Sequence, residues 1–459
     1  MNGRFWTFAA SAYLVACLLL GGASAAGAAA NAALQIVAVV LILFWTWRRD
    51  APLPREARGP IWIGGAFLAI GLLTLVPLPP SIWSGLPFRD QILGAYQLIG
   101  MAPPAIPLSL APPATIWSLL SLLPPAAMFL MVAGLSNEER RRLAMPLLVV
   151  ACVSIVLGAF QLFGGSESPL RPYAVTNPDS PVGFFANVNH EATLLLCSLP
   201  FIAFLAGRAA GRRSRSKRSG GAVISIAIGL FLAVGIAISG SSAAYGLFIP
   251  AALASLLIYR RAVVGRIGWP WTAGMAFVLV VFTVAALRGP LSSEAFAGDL
   301  GDQPSSRRVL AATTGRAIAD SFPAGTGLGT FSTIYRRYEN PDRATRQYAN
   351  HAHNDYLEFV LELGVAGLLL ILAFIAWWAM ALVRVWRSEV PGAGLARAAS
   401  VAIGVVLLHS LVDYPLRTAA IAAVLGLACA LLIPAPRRDA EASEDAAPTG
   451  SDLRHLEAV

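Results

Sequence analysis

The sequence has 459 residues, of which 57% are hydrophobic and 13% charged, and its mean hydropathy is +0.66. Soluble domains carry about a quarter charged residues, so this composition excludes a water-soluble enzyme and indicates an integral membrane protein. The net charge of +9 would suit a nucleic-acid-binding protein, but the positions of the basic residues argue against a nucleic-acid partner.

Long apolar runs recur along most of the chain, several of them about 17 residues long, which is near the lower limit for crossing a bilayer. They predict about twelve transmembrane helices, at residues 5–23, 29–47, 61–79, 114–134, 144–163, 190–207, 222–239, 242–259, 270–288, 358–385, 398–413 and 418–433. The sequence therefore predicts an all-α integral membrane protein in contact with membrane lipids.

This pattern divides the chain into four parts. Residues 1–288 hold the first nine predicted spans, and residues 289–357 form a long loop that is partly helical, with a weak helical pattern at 309–320. Residues 358–433 hold the last three spans. Residues 434–459 are polar and poor in aromatic residues, which predicts a disordered tail.

Basic residues concentrate in the loops on one side of the predicted spans, including Arg140–Arg142 and Arg208–Arg218. Because short cytoplasmic loops are enriched in Lys and Arg, these loops and both termini are predicted to be cytoplasmic. The basic charge is thus mainly a topology signal, and the long loop at 289–357 is predicted to lie outside. The first span could instead be a cleaved signal peptide ending near Ala23–Ala25, which would leave the downstream orientation unchanged.

The densest group of titratable residues directly precedes the predicted tenth span. His353 is suited to proton exchange near neutral pH. Asn354 is a candidate N-cap, and a helix start of this kind also suits a phosphate oxygen. The simpler alternative is that both residues only cap a helix.

Three acids follow on one helix face, since Asp355, Glu358 and Glu362 are spaced i, i+3 and i+7. Glu362 would lie at or below the membrane surface, where an unpaired carboxylate is costly. We therefore expect a cationic partner, with the arginines of the long loop as candidates; ordinary interfacial acids are the alternative.

His351 and His353, together with Asp355 and His190, could alternatively form a zinc site. We favour no metal and no other cofactor, because alternating histidines are common on loops. The four cysteines all lie inside apolar runs and predict no disulfide.

Seven arginines in the long loop could bind an anionic substrate, because a guanidinium matches diphosphate geometry bidentately. They are Arg307, Arg308, Arg316, Arg336, Arg337, Arg343 and Arg346. A solvated basic face is the alternative for any one of them. Gly325-x-Gly327-x-Gly329 is interpreted as a turn and not as a nucleotide site, because no βαβ unit surrounds it.

His409 and Asp413 are spaced i and i+4 near the end of the eleventh span. This spacing indicates either a proton relay or, with more weight, a mutually satisfied polar pair at the interface.

Several separated motifs, in this order, resemble the O-antigen ligase and polymerase superfamily of bacterial membrane glycosyltransferases. They are Pro107–Leu110 with Pro112; Gly183–His190, which includes Asn189; Arg308 ahead of the Pro323–Gly329 turn; His353-Asn354 through Glu362-x-Gly364 to Gly367; and His409–Pro415. One feature departs from the family pattern, because the turn at Ser239–Ala243 lacks the family's arginine. Arg336 or Arg337 is a candidate to replace that contact.

The resemblance implies a metal-independent, inverting transferase at the periplasmic face of the bacterial inner membrane. The implied donor is a glycan on undecaprenyl diphosphate, and the acceptor is lipid A-core or another lipid-linked repeat unit. By this resemblance His353 is the general base or orients the acceptor, and Arg308 binds the diphosphate. Asn354, His351, Asn189, His190 and Glu362 complete the predicted site.

Three other functions stay open at this stage. A transporter or flippase for a lipid-linked or anionic solute would also be polytopic, but such proteins tend to place ionisable residues at mid-membrane depth and to show internal repeats. An exopolysaccharide polymerase would share the proposed chemistry. A non-catalytic assembly scaffold would not depend on His353 or Arg308.

Overall fold

A computed structural model describes residues 3–24, 27–48, 52–210, 215–263, 306–341, 349–390 and 392–436. These residues are mostly helical. The helices are α1 (Gly3–Leu20), α2 (Ala28–Arg48), α3 (Arg58–Leu73), α4 (Pro80–Trp83), α5 (Asp90–Leu98), α6 (Pro112–Leu120), α7 (Leu123–Ala133), α8 (Asn137–Arg142), α9 (Ala144–Phe163), α10 (Val188–Ala210), α11 (Arg215–Ile238), α12 (Ser242–Val263), α13 (Arg307–Ser321), α14 (Phe331–Tyr335), α15 (Asp355–Arg387), α16 (Ala393–His409) and α17 (Ala419–Leu432).

Short elements complete the described secondary structure. Two 3₁₀ turns lie at Arg55–Ala57 and Pro415–Arg417. Strands β1 (Pro77–Leu78) and β2 (Ile106–Pro107) pair in an antiparallel manner, with Pro77 opposite Pro107.

Seven stretches of helix in the described part of the chain are long and apolar enough to cross a membrane. They are α1, α2, α6 with α7, α8 with α9, α10, α12 and α15. Val223–Ile238, α16 and α17 are apolar but shorter. The multi-pass membrane architecture is thereby supported, while the number of twelve spans stays a prediction; the span predicted at 270–288 lies outside the described residues.

The last two predicted spans begin and end differently from the sequence prediction. Helix α16 stops at His409, and residues 410–417 form a turn that carries Asp413, Tyr414 and Arg417. Helix α17 follows and, at 1.5 Å per residue, is only about 21 Å long. The turn 410–417 thus brings polar residues to the end of the bundle where α10 and α15 begin.

Helix α15 is not the single continuous helix that the apolar run at residues 358–385 predicts. Gly364 adopts φ 57° and ψ −136° and breaks the helix. The part after Gly364 is about 34 Å long by helical rise, which matches a bilayer core of about 30 Å. The part before it, from Asp355 to Leu363, is a separate short helix that carries the three acids.

The predicted glycine turn at Pro323–Gly329 packs against this break, backbone to backbone. A Cβ on Gly364 would lie 2.0 Å from the carbonyl oxygen of Pro323, and one on Gly325 would lie 2.6 Å from the carbonyl oxygen of Glu362. The amide of Gly327 donates to that same Glu362 oxygen at 2.8 Å. The turn therefore holds the short helix before Gly364 in place.

The segment Pro107–Pro112 is held on the other side of the glycine turn. Leu110 N donates to Thr326 O at 2.9 Å, and Thr115 Oγ1 donates to Leu328 O at 2.7 Å. Three of the motifs that carry the family resemblance thus pack directly against one another.

Helix α10 lies at the centre of the bundle, where it packs against α9, α11, α12 and α16. The loop before it is pinned by Gln161, which donates to Gly183 O at 2.8 Å and accepts from Gly183 N at 2.9 Å. Asn177 Oδ1 accepts from Val188 N, the first residue of α10, at 2.9 Å. These contacts fix the positions of Asn189 and His190.

Candidate active site

A buried carboxylate, Asp413, lies at the centre of a polar cluster at the end of the bundle. Its Oδ1 is 3.4 Å from Nδ1 of His353 and 3.6 Å from Nε2 of His190. Its Oδ2 is 3.5 Å from Nη2 of Arg307 and accepts a hydrogen bond from the side chain of Asn189. Four separate segments, from α10, α13, the start of α15 and the turn 410–417, therefore meet at one side chain.

The charge on Asp413 is stabilised by these neighbours. Burial alone would raise the pKa of the Asp413 carboxyl, but the electrostatic interactions with His353 and His190 hold that pKa well below its usual range. A buried charge is tolerated when it is paired in this way. These contacts therefore favour the ionised form of Asp413.

The ring of Tyr414 organises the three histidines of this region. Its centroid lies 4.3 Å from that of His351, 4.8 Å from His353 and 4.9 Å from His190, the last two in edge-to-face geometry. Burial, together with the charge of Asp413, raises the pKa of Tyr414 to about 12. The ring is therefore a neutral phenol that separates the imidazoles from one another.

His353 is the most accessible histidine of the cluster. Its side chain is 28% exposed, against 2% for His190. Its backbone φ is 48°, an uncommon value for a residue with a side chain. Asn354 caps α15 as predicted, because its side chain accepts from Leu357 N at 3.0 Å, and it also donates to Leu411 O at 2.7 Å.

A second cluster surrounds Arg417, just beyond Tyr414 in the chain. Arg417 lies 3.1 Å from Glu362, 3.4 Å from Glu358 and 3.6 Å from Asp355. Burial alone would lower the pKa of Arg417. The three carboxylates, with Glu358 contributing most, raise that pKa above its usual range. His351 Nδ1 lies 2.8 Å from Glu358, so this histidine belongs to the second cluster.

The expected cationic partner of Glu362 is thus present, but among the described residues it is not one of the predicted loop arginines. The partner is Arg417 of the turn 410–417, and Arg343 and Arg346 of the long loop lie outside the described residues. Glu362 also accepts from Gly329 N at 2.8 Å through its other oxygen, which ties the acid to the glycine turn.

The predicted pairing of His409 with Asp413 was also wrong. Nδ1 of His409 shares a hydrogen bond of 2.7 Å with Thr193 Oγ1, while the carboxylate of Asp413 faces His353, His190 and Arg307. The i, i+4 spacing failed because α16 ends at His409, so that Asp413 follows in a turn.

The predicted loop arginines lie in different places. Arg308 is exposed at the start of α13, one position after Arg307. Arg336 and Arg337 are exposed after α14, and Arg337 contacts Gln91 and Phe88 of the α4–α5 region. Arg307 is therefore the arginine that the structure brings to Asp413, and the substrate role of the other three stays a prediction.

The four residues of the alternative zinc site divide between the two clusters. His190 and His353 face Asp413, whereas His351 and Asp355 lie with Glu358 and Arg417. Within the described ranges no group of three or more His, Cys, Asp or Glu residues has an arrangement that could hold a metal ion.

The sequence contained a signal that distinguishes Arg307 from the other loop arginines, namely the spacing of the buried residues in α13. The buried residues of α13 are Leu310, Thr313, Thr314, Ala317 and Ser321. Arg307 lies on the same face, one turn before Leu310, since positions 307, 310, 314, 317 and 321 follow the three- and four-residue spacing of one side of a helix. Arg308 falls off that stripe.

These features define a polytopic membrane protein with a charged cluster at the loop end of its helices. Residues 227–372 match the family model described as O-antigen ligase. This match confirms, over that part of the chain, the resemblance to the O-antigen ligase and polymerase superfamily that the motifs carry. No curated protein sequence matches the chain significantly.

Proposed function

We propose that the protein transfers a glycan, with inversion, from undecaprenyl diphosphate to an acceptor hydroxyl at the periplasmic face of the bacterial inner membrane. The observation that carries this proposal is the convergence of His353, Asp413 and Arg307, which combines a proton acceptor with a cation beside a partly open surface. The match to the O-antigen ligase family model supports lipid-linked glycans as substrates in general.

His353 is the proposed general base. Because its Nδ1 faces Asp413, its Nε2 is the nitrogen left to take the proton of the acceptor hydroxyl. Asp413 orients the ring and stabilises the imidazolium that forms, as the acidic member of a catalytic triad does. A positioned general base of this kind contributes about 10²- to 10⁴-fold to a rate.

The leaving group needs cations more than it needs an acid. As the acceptor oxygen bonds to the anomeric carbon, the bond from that carbon to the diphosphate oxygen breaks, and undecaprenyl diphosphate leaves with the electron pair. Arg307 and Arg308, adjacent at the start of α13, are the proposed guanidinium groups that receive this charge. Loss of one such stabilising donor typically costs about 10²- to 10³-fold.

The other predicted residues have proposed positioning roles. Asn189 and His190 hold Asp413, and Asn354 fixes the start of α15. His351 and Glu362 act through Glu358 and Arg417 to hold that helix start against the glycine turn. Arg336 or Arg337 remains the proposed replacement for the arginine that the turn at Ser239–Ala243 lacks.

The acceptor is tested by deleting the gene and separating surface glycans on a gel. Loss of long chains from lipid A-core supports a ligase, whereas single-repeat products support a polymerase. Unaltered lipopolysaccharide with lost exopolysaccharide supports an exopolysaccharide polymerase. Unchanged surface glycans of every class would contradict the proposal.

A further inference from the structure

A polar cavity separate from the histidine cluster opens between the α4–α5 region and the far end of α13. Its volume is about 360 Å³, within the range of small-ligand sites. The residues that line it are Pro87, Phe88, Asp90, Gln91, Asp320 and Arg337. They come from two parts of the chain far apart in sequence, so the cavity exists only in the folded protein.

The walls of this cavity are held in place by mutual contacts. Arg337 Nη2 donates to Gln91 Oε1 at 3.0 Å, and its guanidinium carbon lies 5.6 Å from the centroid of the Phe88 ring. Tyr338 donates to Asp320 Oδ2 at 2.6 Å and meets Phe88 edge to face at 6.2 Å. The polar groups are thus oriented before any ligand arrives.

Phe88 has an unusual backbone. Its φ is 65°, and among the described residues only His353 shares a positive φ without being glycine. Bulky residues rarely adopt this conformation, and such strain is found disproportionately at ligand-binding positions. Here it directs an aromatic ring into the wall of an otherwise polar cavity.

The combination of groups fits a sugar ring. An aromatic face packs against the apolar C–H face of a pyranose, while carboxylates, an amide and a guanidinium accept from and donate to its hydroxyls. The two carboxylates outnumber the single guanidinium, so a phosphate or an acidic sugar is disfavoured. A neutral sugar or an amino sugar is the matching ligand class.

The distance from Arg307 to the cavity sets the length of glycan that can reach both. Arg307 and Asp320 lie at opposite ends of α13, about 20 Å apart at 1.5 Å per residue. A glycan that reaches from the histidine cluster to the cavity must therefore be several sugar units long. We infer that this cavity is a remote subsite for a neutral or amino sugar of a glycan substrate, an inference that rests on the proposed transferase function.

The test is calorimetric titration of the purified full-length protein in detergent with two soluble probes. One is the oligosaccharide released by mild acid from the host's undecaprenyl-linked repeat units. The other is the core oligosaccharide released from the host's lipid A. Binding of the first assigns the subsite to the donor glycan, and binding of the second assigns it to the acceptor.

Variants connect any binding to this cavity. Phe88→Ala is expected to weaken binding about five- to tenfold, as loss of one aromatic contact predicts, and Phe88→Trp is expected to stay within about twofold of wild type by the same contact. Tyr96→Ala, on α5 but outside the cavity lining, is the matched control. Asp320→Asn, which preserves side-chain size, is a second variant of the cavity lining whose binding is measured in case Phe88→Ala does not fold.

Glycan transfer is measured on the same preparations to separate the two claims. If the wild type transfers glycan but binds neither probe, or if Phe88→Ala and Asp320→Asn bind as the wild type does, the inference is overturned while the proposed function stands. If the wild type binds but transfers nothing, the proposed function fails. Inorganic phosphate should not compete with either probe; competition would contradict the assigned ligand class.

Discussion

His353 and Asp413 come from different loops, yet Nδ1 of the histidine lies 3.4 Å from Oδ1 of the buried aspartate. That aspartate is also contacted by Asn189 and His190 of α10, by Arg307 of α13 and by the backbone amide of the adjacent Tyr414. The orientation of the His353 ring therefore depends on the assembly of the whole bundle end, and this dependence can be measured.

Replacing the carboxylate should impair the histidine. We expect Asp413→Asn to lower glycan transfer by about 10²- to 10⁴-fold, the contribution of a well-oriented general base. Because both changes disable one unit, the double variant Asp413→Asn/His353→Ala should be no slower than His353→Ala alone. Transfer rates in membranes at matched expression measure this.

Asp179 is an exposed aspartate in the loop before α10. The variant Asp179→Asn is therefore the control for the loss of a carboxylate on the same side of the protein. Fully additive losses in the double variant would show that Asp413 does not act through His353.

The Arg417 cluster predicts a large difference between two arginine substitutions. Arg417→Ala leaves Glu358 and Glu362 buried without their cation, which costs about 3–5 kcal/mol for a broken buried pair. Arg142→Ala removes only an exposed ion pair with Glu138, worth under about 1 kcal/mol. Thermal unfolding in detergent should show a clear drop for the first variant and little change for the second; equal shifts would contradict the proposed role of Arg417.

The break in α15 predicts opposite effects for two glycines. Gly364→Ala should destabilise the protein by about 1–3 kcal/mol or more, because φ is 57° and the new Cβ would meet Pro323 O. Gly315→Ala, in α13 with open space around it, should be neutral or stabilising by up to about 1 kcal/mol. Urea-dependent unfolding of the two variants compares them directly, and a tolerated Gly364→Ala would show that the turn and the helix do not interlock.

The orientation in the membrane can be tested with two single cysteines in a cysteine-free background. Ala312, exposed on α13, and Glu138, exposed on α8, lie on predicted opposite sides. In intact spheroplasts a membrane-impermeant maleimide should label Ala312→Cys, and it should label Glu138→Cys only after permeabilisation. The reverse pattern would place the histidine cluster on the cytoplasmic side and would contradict transfer from the proposed donor at the periplasmic face.

The sequence predicted the helical membrane architecture well because apolar length is a strong local signal. It also predicted the Asn354 cap, the helix in the long loop and the glycine turn, each of which depends on neighbouring residues only. The family resemblance was readable because it rests on short motifs in a fixed order.

The pairings within the site were less predictable, because they are long-range contacts. Nothing local shows that Arg417 meets Glu362, or that Asp413 turns away from His409 towards His353. The end of α16 at His409 decides that geometry, and helix ends are poorly marked in a continuous apolar run. Arg307 was predictable in principle from the buried stripe of α13, whereas Phe88 and its cavity required the folded chain.

The most direct test of the central claim is transfer from a purified undecaprenyl-diphosphate-linked glycan by the detergent-solubilised protein, without any ion or proton gradient. The wild type should release undecaprenyl diphosphate and form the transferred product. Arg307→Ala and Arg308→Ala should each lower the activity by about 10²- to 10³-fold, because each guanidinium is proposed to stabilise the charge of the leaving group. Near-normal transfer by both arginine variants, or no transfer by the wild type, would contradict the account.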